Sequence, residues 1–293
     1  MSAKTSPFFL TFHVDTSAPV GQGVHPNANL AHQQYLRMID LLFHSVRLFH
    51  AAAECAILTT SETDLAPLRV PCMRVDGAID PTKLMLGRTL SQNSFIKGYN
   101  FARPLVLIDS DILLNRPLTD VFERDFDVAV TWRKSHNMPI NGGLMILNNR
   151  RPEVVRIFFQ RFVDIYLEKY AGDEAKWYGD QLAIRDCVGL SHHQMRQREI
   201  REIDGCKILF LPCEVFNFSP ENRASSIRQR DQTVSVLHFK GERKRLMEPY
   251  WLMHLLPLKS RSLMSRYRSW RATRHLPMLA ACDPQPEQGQ NHA

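Results

Sequence analysis

The run Pro104-Leu105-Val106-Leu107-Ile108 constrains this chain more than any other stretch. It is continuously apolar, yet too short to form a helix of its own. Such a run reads as a strand buried on both faces, the usual condition at the centre of an α/β sheet. Gly143-Leu144-Met145-Ile146-Leu147 repeats the pattern, and Asp127-Val128-Ala129-Val130-Thr131 reads as another strand. Residues 7–14 form an apolar, aromatic-rich first strand. From about Leu30 to Ala53, Tyr35, Met38, Leu42, Val46 and Phe49 recur at three- to four-residue steps, with Gln34, Arg37, Asp40, His44 and Arg47 between them. That spacing predicts an amphipathic helix. Cys55 to Thr60 then reads as a buried strand, and strand-helix-strand favours a parallel pair with a right-handed crossover. Asp80-Pro81 predicts a helix start, the helix running to about Lys97. Val154, Val155, Phe158, Phe162, Ile165 and Tyr166 share one face of a helix over 153–170, and Ile208–Leu211 and Val234–His238 read as late strands. No internal repeat is visible. The expected fold class is α/β, with a mainly parallel central sheet flanked by helices.

Composition bounds the function classes. A chain of 293 residues allows one large domain or two smaller ones. Apolar residues at 44% and charged residues at 23% are ordinary globular usage and exclude global disorder. No stretch approaches the ~20 apolar residues needed to span a bilayer. Met38 to Leu58 is broken by Asp40, His44, Arg47, His50 and Glu54, and Phe8-Phe9-Leu10 gives way to Thr11, His13 and Asp15, too short and polar for a secretory signal. The expectation is a cytoplasmic protein, with peripheral contact at the inner face of the membrane left open. The six cysteines show no C-x-x-C pair and read as reduced thiols, not a zinc site. The net charge of +7 and pI of about 9.2 favour contact with phosphates, without choosing among nucleic acid, anionic lipid and a nucleotide. Residues 259–274 carry six Lys or Arg and no acid, with Leu263, Met264, Tyr267 and Trp270 interleaved. A basic segment with aromatic anchors suits an anionic membrane surface; a solvated helix or a nucleic-acid patch are the competing readings.

The central apolar run ends in Asp109-Ser110-Asp111. In open α/β sheets ligands bind beyond the carboxyl ends of the strands. Two carboxylates two residues apart in a turn can face one cation, and Mg²⁺ and Mn²⁺ are hard ions that prefer oxygen and share it with substrate phosphates. A lone D-x-D is weak, since aspartates make turns and caps everywhere. His238-Phe239-Lys240-Gly241-Glu242-Arg243-Lys244 after another strand strengthens it. A neutral imidazole can be a third metal ligand, Gly241 permits close backbone approach to a phosphate, and Lys244 is a point charge for a diphosphate. The competing reading is a strand-end histidine in a solvated basic loop.

Five landmarks occur in order: L-I-D-S-D-I-L at 107–113, N-G-G-L-M-I-L-N at 141–148, G-D-Q at 179–181, L-P with F-N at 211–217, and H-x-x-G-x-x-K at 238–244. With these the chain resembles a GT-A fold glycosyltransferase of family 8, the retaining family of glycogenin and the bacterial lipopolysaccharide galactosyltransferases. The resemblance implies a nucleotide-diphospho-sugar transferase fold and a metal, Mn²⁺ or Mg²⁺, held by Asp109, Asp111 and His238. It implies donor contacts from Thr11, Arg88, Asp109, Ser110, Asn141, Gly142, Gly241 and Lys244, with Thr11 to His13 near the base. Asp180 and Gln181 would be the catalytic pair. The implied donor is a UDP-sugar and the implied acceptor a saccharide or a lipid-linked saccharide. The chain departs from the family where Gly142 replaces a frequent serine, Leu182 follows Gln181, and Arg245-Leu246 follow Lys244. The expected division is a catalytic domain over 1–256, a basic amphipathic segment over 257–281 and a disordered tail over 282–293.

The expected reaction breaks a sugar–phosphate bond with negative charge building on the diphosphate, which a cation and Lys244 would stabilise. If configuration is retained, same-face attack assisted by the leaving diphosphate is favoured. Several readings compete at single residues: Asp180 as a helix N-cap, Asn141 closing a turn, Arg88 as a surface helix residue, and Trp177 and Tyr178 as packing residues and not sugar platforms. A nucleotidyltransferase or phosphohydrolase would explain D-S-D but not the linked landmarks, and no P-loop sequence is present. A non-enzymatic lipid or nucleic-acid binder would have no need of Asp111; nucleic acid is the disfavoured partner.

Overall fold

A computed structural model describes residues 6–15, 28–80, 83–135, 138–171, 178–189 and 199–256. The segments 257–281 and 282–293, and Trp177, lie outside the described residues. The chain divides into two compact units, residues 1–218 with 231–238, and residues 219–230 with 239–293.

The first unit alternates strands and helices: β1 (Phe8–Phe12), α1 (Ala28–Phe49), β2 (Glu54–Thr59), β3 (Met73–Asp76), α2 (Leu84–Gly98), β4 (Leu105–Ile108), β5 (Ile112–Leu114), α3 (Thr119–Phe122), β6 (Val128–Trp132), β7 (Ile140–Leu147), α4 (Pro152–Lys169), α5 (Gly179–Val188), β8 (Ile200–Ile203), β9 (Cys206–Pro212), α6 (Cys213–Phe216) and β10 (Val236–His238). Eight strands form one sheet in the order β3-β2-β1-β4-β7-β6-β9-β8, and β5 pairs with β10 in a second. In the large sheet β3, β2, β1 and β4 are mutually parallel, as are β6 and β9. β7 opposes both of its neighbours and β8 opposes β9. Every residue of β4 is buried, which is why its sequence carries no alternation. Phe8, Leu10, Leu107, Val130, Met145, Phe158, Phe159 and Phe162 are among the residues of the core against which α4 packs.

The structure adds strands that sequence periodicity does not mark. β3 is mostly exposed and has no apolar run. β5 is three residues long and continues from the D-S-D turn. β8 is an edge strand of half-exposed residues. The helix expected from Asp80-Pro81 begins at Leu84; Lys83 stands at its cap without a side-chain capping bond, and its N–H donates to the Asp80 carbonyl.

Asp127 shows how the far end of the sheet is tied. Its carboxylate accepts a two-nitrogen grip from Arg151, ahead of α4, and the Lys207 N–H at 2.7 Å, in β9. Its backbone N–H donates to Lys207 O, and its carbonyl accepts from Asn148 after β7. One side chain therefore links β6, β9 and α4, and burial of its acceptors makes an unpaired amide costly.

The second unit packs Phe239, Leu246, Met247, Tyr250, Trp251 and Leu255 with Ile227 as its buried residues. It contains 3-10 turns at Ala224–Ile227 and Gly241–Leu246, helix α7 (Met247–Tyr250) and a π turn at Trp251–Leu255. His254 Nε2–H donates to the Ile227 carbonyl at 2.7 Å, and Arg243 Nε to that of Pro220 at 2.6 Å. No helix of the described residues is long and apolar enough to cross a membrane.

Asp127→Ala is expected to lower unfolding free energy by about 2–3 kcal/mol, because it strands the Lys207 amide and frees Arg151. Asp127→Asn, which keeps an acceptor for Lys207, is expected to lose less. Urea denaturation of the two variants separates the lost amide bond from the lost charge.

Candidate metal and donor site

The site is built where β4 ends. Asp109 follows the last residue of the strand, and its N–H donates to the Gly143 carbonyl of β7 at 3.0 Å. Asp111 leads into β5, whose residues pair antiparallel with β10 so that Ile112 stands opposite His238. The register places the His238 Nε2 at 3.0 Å from Asp111 Oδ1 and 3.6 Å from Asp109 Oδ2. One ligand atom from each of Asp109, Asp111 and His238 lies within 4.8 Å of the others. Asp111 and His238 are buried, Ser110 between the aspartates is buried, and Asp109 is partly open.

The tautomer of His238 decides what this cluster accepts. His238 Nδ1 lies 2.6 Å from Asn217 Oδ1. Asn217 Nδ2 donates to Asn141 Oδ1 at 2.7 Å and to Thr131 Oγ1 at 2.9 Å. Asn141 Oδ1 also accepts the Gly143 N–H at 3.0 Å, and the Thr131 hydroxyl donates to the Asn141 carbonyl at 2.7 Å. With both amide protons of Asn217 engaged, its oxygen faces the imidazole and can only accept. Nδ1 of a neutral His238 therefore carries the proton, and Nε2 turns a lone pair toward two carboxylates. Three acceptors aimed at one point repel one another unless a cation lies among them, and a carboxylate–carboxylate–imidazole set suits a divalent ion. The residues present fit the metal that the sequence implied.

A bulge makes room for this arrangement. Between β6 and β7 the register shifts after Val130, so that Thr131 stands opposite Asn141 while Leu144 still pairs with Ile108. The shift pushes Gly142 and Gly143 toward the site, a common use of bulges. A Cβ on Gly143 would lie 2.5 Å from His238 Cε1 and 2.6 Å from Nδ1, closer than any side chain can pack. Glycine is required there by the imidazole itself.

Arg88, on α2, joins the Asp109–Asp111–His238 cluster to the start of α5. Its Nη1 donates to Asp109 Oδ1 at 2.9 Å and its Nη2 to Asp180 Oδ2 at 2.5 Å. Burial works against the Arg88 cation, and Asp180 and Asp109 more than offset it, so the guanidinium holds its proton more tightly than usual. Burial pushes the Asp180 carboxyl up, against the pull of Arg88. Arg88 is thus no surface residue. Nor is Asp180 the cap of α5: Tyr178 holds that position, and Asp180 lies inside the helix, 2% exposed. Asp180 Oδ1, Gln181 Oε1 and Arg88 Nε are buried polar atoms with no hydrogen-bond partner among the described residues. Gly142 lies among them; a Cβ there would meet Asp180 Oδ2 at 3.0 Å and Gln181 Cγ at 3.5 Å. Asp180, Arg88 and Gly142 line a small cavity closed on its apolar side by Leu107, Met145 and Phe162.

At the carboxyl end of β1, Thr11 is buried and its hydroxyl has no partner among the described residues. The His13 ring stacks against those of His32 and Tyr35, with centroids 5.1 and 5.3 Å away. His32 Nε2 meets the Asp64 carbonyl at 2.9 Å and must donate, so its Nδ1 accepts from His13 Nε2–H, also at 2.9 Å. Burial, and next the neighbouring His32, bring the His13 pKa down to about 4, with Asp15 opposing. Gly241 and Lys244 belong to the second unit, in the turn Gly241–Leu246, where Gly241 has φ +56°. That left-handed backbone favours glycine.

Sequence reasoning brought Asp109, Asp111, His238, Arg88, Asp180 and Asn141 into view, and the structure gathers them in one region of the first unit. It did not assign roles to Asn217, Thr131 or Gly143. The F-N pair at 216–217 was the available signal. Its position follows from Phe218, whose N–H donates to the Val236 carbonyl while its own carbonyl accepts from His238.

No protein-family model matches the chain, and no curated protein matches its sequence. Solved structures do match. The glycosyltransferase GlyE of Streptococcus pneumoniae TIGR4 aligns with 92% of this chain and 65% of its own, at 15% identity and a TM-score of 0.51. The bifunctional glycosyltransferase WbbM aligns with 94% of this chain and 53% of its own, at 10% identity and a TM-score of 0.52. The chain spans less than two thirds of the length of either protein. At these identities the likeness is one of fold: the chain has the α/β GT-A fold of these glycosyltransferases, as its landmarks led us to expect.

Gly143→Ala is expected to weaken Mn²⁺ binding at least about tenfold by displacing His238, in line with the cost of disturbing a metal ligand's support; titration calorimetry reads this directly. A second expectation concerns pH. His13 titrates near 4 when folded and near 6.5 when exposed, so between those values the unfolded chain binds more protons. Its contribution of roughly 3 kcal/mol is full above about pH 6.5 and is lost as pH falls toward 4. Replacing His13 with Gln should flatten the fall in stability across that window in urea unfolding.

Proposed function

We propose that this protein is a metal-dependent glycosyltransferase that moves a sugar from a nucleotide-diphosphate donor, a UDP-sugar, to a saccharide or lipid-linked acceptor with retention of configuration. The observation that carries this reading is that one arginine, Arg88, holds together the Asp109–Asp111–His238 cluster and a carboxylate, Asp180, beside buried polar atoms that have no partner among the described residues. A cation site suits a diphosphate. Buried donors and acceptors left over by the described residues suit a ligand rich in hydroxyls. The GT-A fold agrees with both.

Asp109, Asp111 and His238 would hold Mn²⁺ or Mg²⁺, which supplies Lewis-acid stabilisation of charge growing on the diphosphate. The chain's own groups account for the rest. Lys244 and Gly241, in the second unit, are the diphosphate contacts that the resemblance implies. Thr11 and Ser110 face the nucleoside end. Arg88 keeps the Asp180 carboxylate fixed and compensates its charge, and Gln181 offers an acceptor to a sugar hydroxyl. Asp180, fixed near the reacting sugar, stabilises positive character at the anomeric carbon or orients the acceptor hydroxyl. Gly142 leaves room beside Asp180 Oδ2 and Gln181 Cγ that a serine side chain would crowd.

The acceptor's surroundings follow from charge. The second unit holds thirteen Lys and Arg against five Asp and Glu, a net +8, so the positive charge of the chain lies in it and the first unit is close to neutral. Such a unit, with six of those basic residues in 259–274, favours an anionic surface and supports a cytoplasmic enzyme working peripherally on the inner face of a membrane.

Calorimetric titration of UDP with and without Mn²⁺ tests the reading. Wild type is expected to bind UDP only with metal, and Asp111→Asn to lose about 100-fold or more in that affinity, at or beyond the upper end of the roughly 10- to 100-fold cost of losing a group that merely supports a ligand. Failure of both UDP and GDP to bind with metal present would remove the proposal.

A further inference from the structure

We infer that Asn217 is a positioning residue for the metal, fixing His238 as the Nδ1–H tautomer through a relay that ends on Asn141 and Thr131. The inference rests on the metal reading proposed above. Its evidence is a network with one self-consistent direction for a neutral imidazole. The Thr131 hydroxyl gives its proton to the Asn141 carbonyl at 2.7 Å, so its lone pairs accept from Asn217 Nδ2 at 2.9 Å. The second Nδ2 proton goes to Asn141 Oδ1 at 2.7 Å, an oxygen that also accepts the Gly143 amide. Reversing the Asn217 amide would set its oxygen against Asn141 Oδ1 and its NH₂ against His238 Nδ1. The assigned orientation satisfies Asn217, Asn141, Thr131 and His238 Nδ1, leaving only Nε2 to face the carboxylates; the reverse sets one amide oxygen against another.

All members are buried: Thr131 0%, Asn217 2%, His238 4% and Asn141 6% exposed. Water therefore cannot easily take over a lost bond. The relay does more than hold a ring in place. A histidine free to choose its tautomer would gain by putting the proton on Nε2, where Asp111 Oδ1 waits at 3.0 Å. That hydrogen bond would cap the metal-facing nitrogen. Asn217 makes this tautomer costly by presenting an acceptor, which cannot pair with a bare Nδ1. The bond to Asn217 also raises the basicity of Nε2 as a ligand, the general effect of an acceptor behind a metal-bound imidazole. In this reading Asn141 acts through Asn217 as well as holding the Gly143 amide in the bulge.

The test reads the tautomer and the metal separately. In ¹⁵N-histidine-labelled, metal-free protein at alkaline pH, the long-range imidazole spectrum of wild type is expected to show His238 protonated at Nδ1. Asn217→Leu, checked for retained fold by circular dichroism, is expected to shift His238 toward the Nε2–H form. Its Mn²⁺ affinity, from the loss of free-ion signal in electron paramagnetic resonance, should fall about 10- to 100-fold. Asn217→Asp, which still offers an acceptor to Nδ1–H, should keep the wild-type tautomer and bind Mn²⁺ more tightly than the leucine variant. If Asn217→Leu does not fold, Asn217→Asp decides alone: retention of the Nδ1–H form supports the role and the Nε2–H form overturns it. A wild-type Nε2–H tautomer, or a folded leucine variant with unchanged tautomer and affinity, also overturns the inference. Wild type that shows the Nδ1–H form but binds no Mn²⁺ sinks the metal reading and the role that rests on it, while leaving the tautomer assignment intact.

Discussion

The antiparallel pairing of β5 with β10 is the constraint on which the site depends. Each strand is three residues long, and neither belongs to the large sheet. Their register alone sets Ile112 opposite His238 and so delivers an imidazole from the end of the unit to the aspartates that precede β5. A slip of one residue would turn His238 to the other face. The pair is accordingly pinned from several sides. Ser45, buried on α1, accepts the Leu114 N–H at 3.0 Å, and Asn115 Nδ2 donates to the Asp231 and Val234 carbonyls, both at 2.8 Å. On the other side the chain at 215–218 hydrogen-bonds along β10. The side-chain relay through Asn217 is a by-product of that backbone contact.

Charge is distributed with the same economy. Asp109 uses its two oxygens differently, Oδ1 toward Arg88 and Oδ2 toward the cluster. Asp180 is buried, and burying a lone carboxylate is costly; Arg88 makes it tolerable. Because the guanidinium is planar and forked, it can grip two carboxylates on different elements at once, which a lysine ammonium does less well. The first unit thus couples a site for a cation to a separate fixed anion through one rigid group.

How much of this was legible in the sequence depended on how locally each feature is encoded. β4 and β7 announced themselves because strands buried on both faces must be apolar throughout. The helix over 153–170 followed from spacing. The D-S-D turn could be placed at a strand end because Leu105–Ile108 precede it directly. β3 and β8 left no trace, since edge strands take polar residues, and β5 was too short to have a period. The antiparallel direction of β7 is a matter of long-range pairing that no local pattern records. Arg88 read as a surface residue because α2 has no clear amphipathic face: Gly87, Thr89, Ser91 and Asn93 are its buried positions alongside Ile96. Asp180 read equally well as a cap, because a Gly-Asp before apolar residues has the same composition either way. Asn217, Thr131 and Gly143 matter only through contacts with one another and with His238, which become neighbours on folding. The glycine pair at 142–143 was visible, but the reason for it, an imidazole against one glycine and a carboxylate against the other, was not.

The three-residue pairing that completes the cluster also bears on how the protein reaches its native state. β1, α1 and β2 follow one another in the chain, whereas β10 can meet β5 only after the loop holding four of the eight strands of the large sheet has closed. Contacts of long sequence separation pay their closure entropy before they return any energy, and they tend to form late. Asp109, Asp111 and His238 are then united in one of the last steps of folding, on a scaffold already rigid around Asp109. An ion arriving at that stage would stabilise the final closure and not direct the early chain, making the cluster a clasp that reports completed folding.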